Sequence, residues 1–164
     1  MATNTLIQKL FGADESGVGE DSNAVSNRVQ HETFRAGEAI TAGACVSLDV
    51  SASTNGERAL IVFEADTADA VPVGVYDSDV DAAAGDYIRV CVKGIVEEAL
   101  TDGSGDTAIA VGDALIIGGA DGKLVPKIID VSLAADYNLK PTVAIAMEAS
   151  SADATSRVLV IKNF

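Results

Sequence analysis

The sequence predicts an all-β protein, a compact β-barrel or sandwich of short strands with an extended N-terminal arm. Two observations lead there. From Phe34 onward, short runs rich in Val and Ile recur, separated by Gly, Asp, Asn and Ser clusters. Their close spacing indicates a sandwich or barrel and not alternating βα units. The aromatic share is 4% with no Trp, so the core must be built from Val, Ile, Leu and Ala. A chain of 164 residues is about one domain long. It buries roughly 70% of its unfolded surface on folding, enough for a core without staples.

Residues 1–33 read as the arm. Leu6, Ile7, Leu10 and Phe11 fall on one stripe of a helix, and Gly12 is placed to end it. Residues 12–27, rich in Gly, Ser, Asp and Glu, read as a flexible linker. A helix of about two turns is not stable alone in water, because nucleation costs more than so few hydrogen bonds return. The stripe therefore docks, either on this chain's own body or on another protein. The single His, His31, lies between Gln30 and Glu32 and reads as a solvated bystander.

Residues 34–164 read as the β-rich body. The runs ITAGACVSLDV, ALIVFEAD, AVPVGVYD, DYIRVCVKGIVEEAL, DALIIGG, KLVPKII, PTVAIAMEA and RVLVIKNF are the candidate strands. In Tyr87–Lys93 the alternation puts Ile88, Val90 and Val92 on one face and Tyr87, Arg89, Cys91 and Lys93 on the other. Leu60–Phe63 and Val158–Ile161 are apolar on both faces, as in strands covered twice, by the barrel and by a loop, a helix or another subunit. Residues 129–141 read as a loop with room for one helical turn. Ala36-Gly37-Glu38, Ala84-Gly85-Asp86 and Val111-Gly112-Asp113 each precede an apolar run. They read as a repeated turn, Gly supplying positive φ, and not as a solenoid repeat.

The charge balance is 11 basic against 25 acidic side chains, net −14, with a pI near 4.2. Such a surface repels phosphate backbones and anionic lipid, so neither nucleic acid nor membrane is an expected partner. The N-terminal residues lack a basic leader with a long apolar run, and the longest apolar runs fall short of the ~20 residues that span a bilayer. Two Cys in this length form no disulfide framework, and a soluble protein of a reducing compartment is expected.

Little in the sequence points to chemistry. Cys45 and Cys91 lie in candidate strands without the further ligands zinc requires. Both read as small hydrophobes. Cys91 shares its face with Arg89 and Lys93, which would lower its thiol pKa and make it reactive. Asp77, Asp79 and Asp81 resemble the opening of a calcium loop, but Ala82 occupies the Gly position and Ile88 the position of the bidentate Glu. Asp102 and Asp106 form a second acidic turn. Solvated carboxylates are the plain interpretation of both turns, and weak calcium binding stays open. Gly122-Lys123 lacks the rest of a phosphate loop. No catalytic constellation, metal centre or cofactor site emerges, and the chain is expected not to be an enzyme.

The order RAGEAITAGACVSLDV, VPVGVYDSDVDAAAGDYIRVCVKGIVEEAL, IAVGDALIIGGADGKLVP and TVAIAMEASSADATSRVLVIKNF resembles the tailed-phage capsid decoration, or cement, proteins. The likeness covers roughly residues 34–164 and rests on glycines and hydrophobic spacing. The DVSLAADYNLKP stretch is longer than the family pattern needs. The resemblance implies a non-enzymatic β-rich body that forms a homotrimer on the outer surface of an expanded head. Such a protein bridges and stabilises neighbouring major capsid proteins, residing on the virion and, during assembly, in the host cytoplasm. On that view Leu6, Ile7, Leu10 and Phe11 are the arm's anchors in a capsid groove. Burying them would contribute on the order of 6 kcal/mol before ordering costs.

Two other classes compete. A head-fibre-like module binding a host-surface glycan or protein would need an exposed aromatic platform. A small hydrolase or isomerase would need convergent carboxylates in a pocket.

Overall fold

The alternation seen at Tyr87–Lys93 runs on to Asp102, giving a strand of 16 residues around which the rest of the chain is arranged. In the computed structural model, residues 29–48, 60–66, 71–104, 108–118, 121–127 and 141–161 are described. Their strands are β1 (Gln30–Ala36), β2 (Cys45–Leu48), β3 (Ile61–Glu64), β4 (Pro72–Tyr76), β5 (Tyr87–Asp102), β6 (Ala114–Ile117), β7 (Leu124–Pro126), β8 (Ala144–Ala146) and β9 (Asp153–Val160). No helix occurs among the described residues, and the protein is all-β as the sequence predicts. The stripe Leu6, Ile7, Leu10 and Phe11, the linker 12–27 and all of 129–141 except Pro141 lie outside those residues.

The strands form two closed rings that share β5. The first ring runs β1–β3–β2–β4–β5 and returns to β1, with β1 parallel to β3 and the other neighbours antiparallel. The second runs β5–β7–β6–β8–β9 and returns to β5, with β5 parallel to β7 and the other neighbours antiparallel. The second ring thus repeats the first: β5, β6, β7, β8 and β9 stand where β1, β2, β3, β4 and β5 stood. Closing each ring removes the sheet edges that would otherwise invite pairing with another chain.

Matching hydrogen bonds identify the repeat. Ile40 and Ala82 exchange main-chain bonds of 2.9 and 2.8 Å, and Ile109 and Ser150 do the same at 2.7 and 3.0 Å. The Gly43 amide donates to the Tyr76 carbonyl at 3.1 Å, and the Gly112 amide to the Ala146 carbonyl at 2.8 Å. The sequence reading of a repeated turn is therefore too narrow, because the whole barrel recurs. Ala84-Gly85-Asp86 and Val111-Gly112-Asp113 do share one turn, in which the Asp carboxylate accepts the amide three residues back, at 2.9 and 2.8 Å.

Each ring encloses its own apolar side chains. Ile40, Val46, Val62, Val90 and Val92 fill the first, with Phe34 and Tyr76. Leu115, Leu124, Val143, Val158 and Val160 fill the second. At roughly 1.5–3 kcal/mol per fully buried side chain, these layers supply the main drive to fold. Ile88, Val90 and Val92 point into the first core, while Tyr87, Arg89 and Lys93 point outward, as the alternation predicts. Cys45, Ala65, Val75 and Cys91 lie outside the first core, in the same apolar cluster as the second. The two barrels are therefore packed together as well as joined by β5.

Gly94 marks the change of barrel along β5. Lys93 is the last residue paired with β1, and Gly94 the first paired with β9. Its φ is 125°, and a Cβ there would stand 2.7 Å from the Val29 Cα, so only Gly lets β5 turn at this point. β1 begins at Gln30, so the composition boundary between 33 and 34 falls inside a strand. The polar side chains of Gln30, Glu32 and Thr33 hide it, because that half of β1 pairs with β5 through its backbone and its side chains are exposed or half-buried.

Candidate functional site

The register of β1 against β5 sets His31 opposite Cys91, and the residue after β4 is Asp77. His31 Nε2 lies 2.7 Å from Asp77 Oδ2, and Arg89 Nη2 lies 3.6 Å from the same oxygen. His31 is therefore partly buried and hydrogen-bonded to a carboxylate that Arg89 also approaches, and not the bystander its polar neighbours suggest. A Cys, a His and an Asp are brought together from three strands' worth of sequence. A nucleophile of that kind must be an accessible thiolate. Cys91 is fully buried, and burial, followed by the Asp77 charge, pushes its thiol up to about 11. A main-chain hydrogen bond at Lys93 and the Arg89 charge pull the other way and are outweighed. The alternative of a lowered Cys91 pKa is thus corrected and the reading as a small hydrophobe holds: Cys91 shares the outward face of β5 with Arg89 and Lys93, but the packing between the barrels covers it. Burial likewise pushes Cys45 up to about 12.

Beside this group, an open cleft of about 340 Å³ is lined by Asp77, Ser78 and Asp79 and, from β5, by Arg89, Val96, Glu97 and Glu98. Glu97 is ion-paired with Arg157 of β9. The cleft is polar and acidic, and it lies along the edge of the packing between the barrels.

The acidic turns singled out in the sequence are held by the fold. Asp77 takes His31 and Arg89, while Asp81 accepts the Ala42 amide at 2.9 Å. The Ser78 hydroxyl, lying between them in sequence, bonds the Val80 amide and carbonyl. The members of DSDVD thus turn to different partners. Among the described residues no three His, Cys, Asp or Glu side chains converge as a metal-binding group. Asp102 accepts the Ser104 amide at 2.9 Å, and its hydrogen bonds to Ser104 hold its carboxyl below the usual range. Asp106 is outside the described residues. Lys123, the basic residue of the Gly122-Lys123 pair, reaches Asp153 at 2.7 Å.

The outer surface carries a few large apolar side chains. Tyr87 is 80% exposed, and Leu60, Val71, Val80, Val111 and Met147 are also exposed. Tyr87 pairs with Arg35, and Arg35 with Ile61, so Tyr87, Arg35 and Ile61 form an outward row across β5, β1 and β3. Tyr87 is the one aromatic among the exposed large apolar residues described.

No family model matches the chain, and no curated protein matches it. Among solved structures, the N base of the head fibre protein gp8.5 of bacteriophage phi29 is similar, with a TM-score of 0.45 and 20% identity over 82% of this chain and 95% of that one.

Proposed function

We propose that the chain is a non-enzymatic structural protein of a tailed-phage head, a decoration or cement protein that binds the outer surface of the expanded capsid. It stabilises the head by bridging neighbouring major capsid proteins. The observation that carries this reading is the resemblance over residues 34–164, whose glycines have a structural job. Gly43, Gly85, Gly112 and Gly122 all adopt positive φ at turns, and the apolar spacing between them matches strands that fill two cores.

The physical properties suit the role. A net charge of −14 favours the outside of a shell over the side facing packaged DNA. Both thiols are buried and protonated, so the described body offers no activated cysteine. Many copies on a lattice make modest single contacts strong through multivalency. In this proposal the arm residues Leu6, Ile7, Leu10 and Phe11 seat in a capsid groove, and the body self-associates as a homotrimer.

Co-sedimentation with expanded, undecorated capsids of the source tests the role. Saturable binding at a fixed ratio to capsid subunits is expected, and a folded sample that fails to bind overturns it. Deleting residues 2–12 should lower occupancy; unchanged occupancy removes the arm from the mechanism. A glycan-binding head-fibre module gains little support from Tyr87, the one aromatic among the exposed large apolar residues described.

A further inference from the structure

Because the second barrel repeats the first, the outer surfaces of the two can be compared position by position. On the first barrel, Cys45 pairs with Val75 and Val75 with Cys91, forming an outward row across β2, β4 and β5. All three are 0% exposed. The second barrel covers them, and they belong to one apolar cluster with Val96, Ala99 and Leu124. The covering elements are the second half of β5 and the turn between β6 and β7. The Leu100 amide donates to the Gly43 carbonyl at 2.8 Å, the Cys45 amide to the Gly122 carbonyl at 2.8 Å, and the Gly122 amide to the Ala65 carbonyl at 3.2 Å.

The matching row on the second barrel is Ala114, Ile145 and Leu159, across β6, β8 and β9. Ile95 of β5, paired with Leu159, extends it. The neighbours of these residues in sequence, Leu115, Ala144, Ala146, Val158 and Val160, point into the core, so the row points outward. It is as apolar as its counterpart, yet each of its four residues is only half-buried. Next to it on β9, two residues before Leu159, Arg157 is ion-paired with Glu97 of β5, and charged groups beside an apolar centre are a feature of protein interfaces.

We infer that this row docks the first barrel of a second copy of the chain, seated as the second barrel is seated on the first. The continuity is geometric: one plan of barrel already packs on this face once within the chain. The counterpart of the covering half of β5 is β1, in the first barrel. The contact is therefore head-to-tail, every copy offering one row and one covering barrel. Such a contact generates a ring if the rotation closes and an open chain if it does not. The inference gives the self-association proposed above a surface, but it stands on the repeat alone and survives a failure of the capsid reading.

Sedimentation velocity on the full chain, without capsids, tests it. The wild type is expected to sediment as an oligomer. The double variant Ile145→Lys with Leu159→Lys is expected to sediment as a monomer with an unchanged circular dichroism spectrum, its self-association weakened at least about a hundredfold by charges placed in an apolar contact. A monomeric wild type overturns the inference, and so does a folded double variant that keeps the oligomer. Should the double variant not fold, a photo-crosslinking side chain at Ile145 decides the matter in a mixture of isotope-labelled and unlabelled chains. Crosslinks between copies, ending on β1, support the contact. Crosslinks confined to one chain, for instance to residues 128–140, overturn it.

Discussion

Gly43 and Gly112 occupy the same turn in the two barrels, at φ of 77° and 93°, yet their surroundings are opposite. A Cβ on Gly43 would stand 2.1 Å from the Glu98 carbonyl oxygen, whereas one on Gly112 would meet nothing within 4 Å. Gly112→Ala is expected to cost only the left-handed backbone strain, about 1–2 kcal/mol. Gly43→Ala adds a clash with the main chain of the other barrel and should cost at least about 2 kcal/mol more. Urea unfolding of the two variants checks this, and equal losses would refute the packing described at Gly43.

The two thiols set an alkaline limit on stability. Both are pushed up by burial, Cys91 to about 11 and Cys45 to about 12, while an unfolded thiol titrates near 8.5. The native state thus keeps protons that the unfolded chain gives up. Their contribution is complete below the unfolded value and is lost as pH rises toward 11 and 12, by about 1.4 kcal/mol per pH unit for each thiol. Stability measured from about pH 8 upward should fall accordingly, and replacing both Cys by Ala should flatten that slope.

Thr101 and Ser156 form a buried hydroxyl pair at 3.0 Å, and the Thr101 hydroxyl also reaches the Ala154 carbonyl at 3.0 Å. Thr101→Val leaves Ser156 without this partner and should cost about 1–3 kcal/mol. Adding Ser156→Ala should recover part of the loss, because no buried hydroxyl then remains unpaired. A double-mutant cycle measures the coupling, and strict additivity would contradict it.

Leu115 is fully buried in the second core, and Leu60, just before β3, is 58% exposed. Leu115→Ala should cost about 2–5 kcal/mol. Leu60→Ala should stay within about 0.5 kcal/mol. Thermal unfolding of both variants distinguishes a filled barrel from a loosely packed one.

Much of this was legible in the amino-acid order. The run from Asp86 to Leu100 reads as a single β segment, and it falls within the two ends of β5 but for one residue. The face assignment of Ile88, Val90 and Val92 follows from alternation alone, because β-strands bury every second side chain. The duplication was harder to see. Its equivalent turns are Thr41-Ala42-Gly43-Ala44 and Ala110-Val111-Gly112-Asp113, which share only Gly and apolar spacing, while the more similar Ala84-Gly85-Asp86 belongs elsewhere in the barrel. Apolar cores tolerate any side chains of suitable volume, so a repeated barrel need not keep a repeated sequence. The Ile40 to Gly43 and Ile109 to Gly112 spacing, each followed by a strand, was the available signal. The reading of His31 as a bystander fails for another reason: its partner Asp77 is distant in sequence, and only the pairing of β1 with β5 brings them together.

Because β5 completes both rings, neither barrel can come apart without stripping a strand from its neighbour. A chain built of two barrels on a string would melt in two steps, with the weaker half failing first. Here the damage is shared. Heat should therefore produce a single calorimetric peak, and a protease should find no point at which to cut the molecule into two surviving halves.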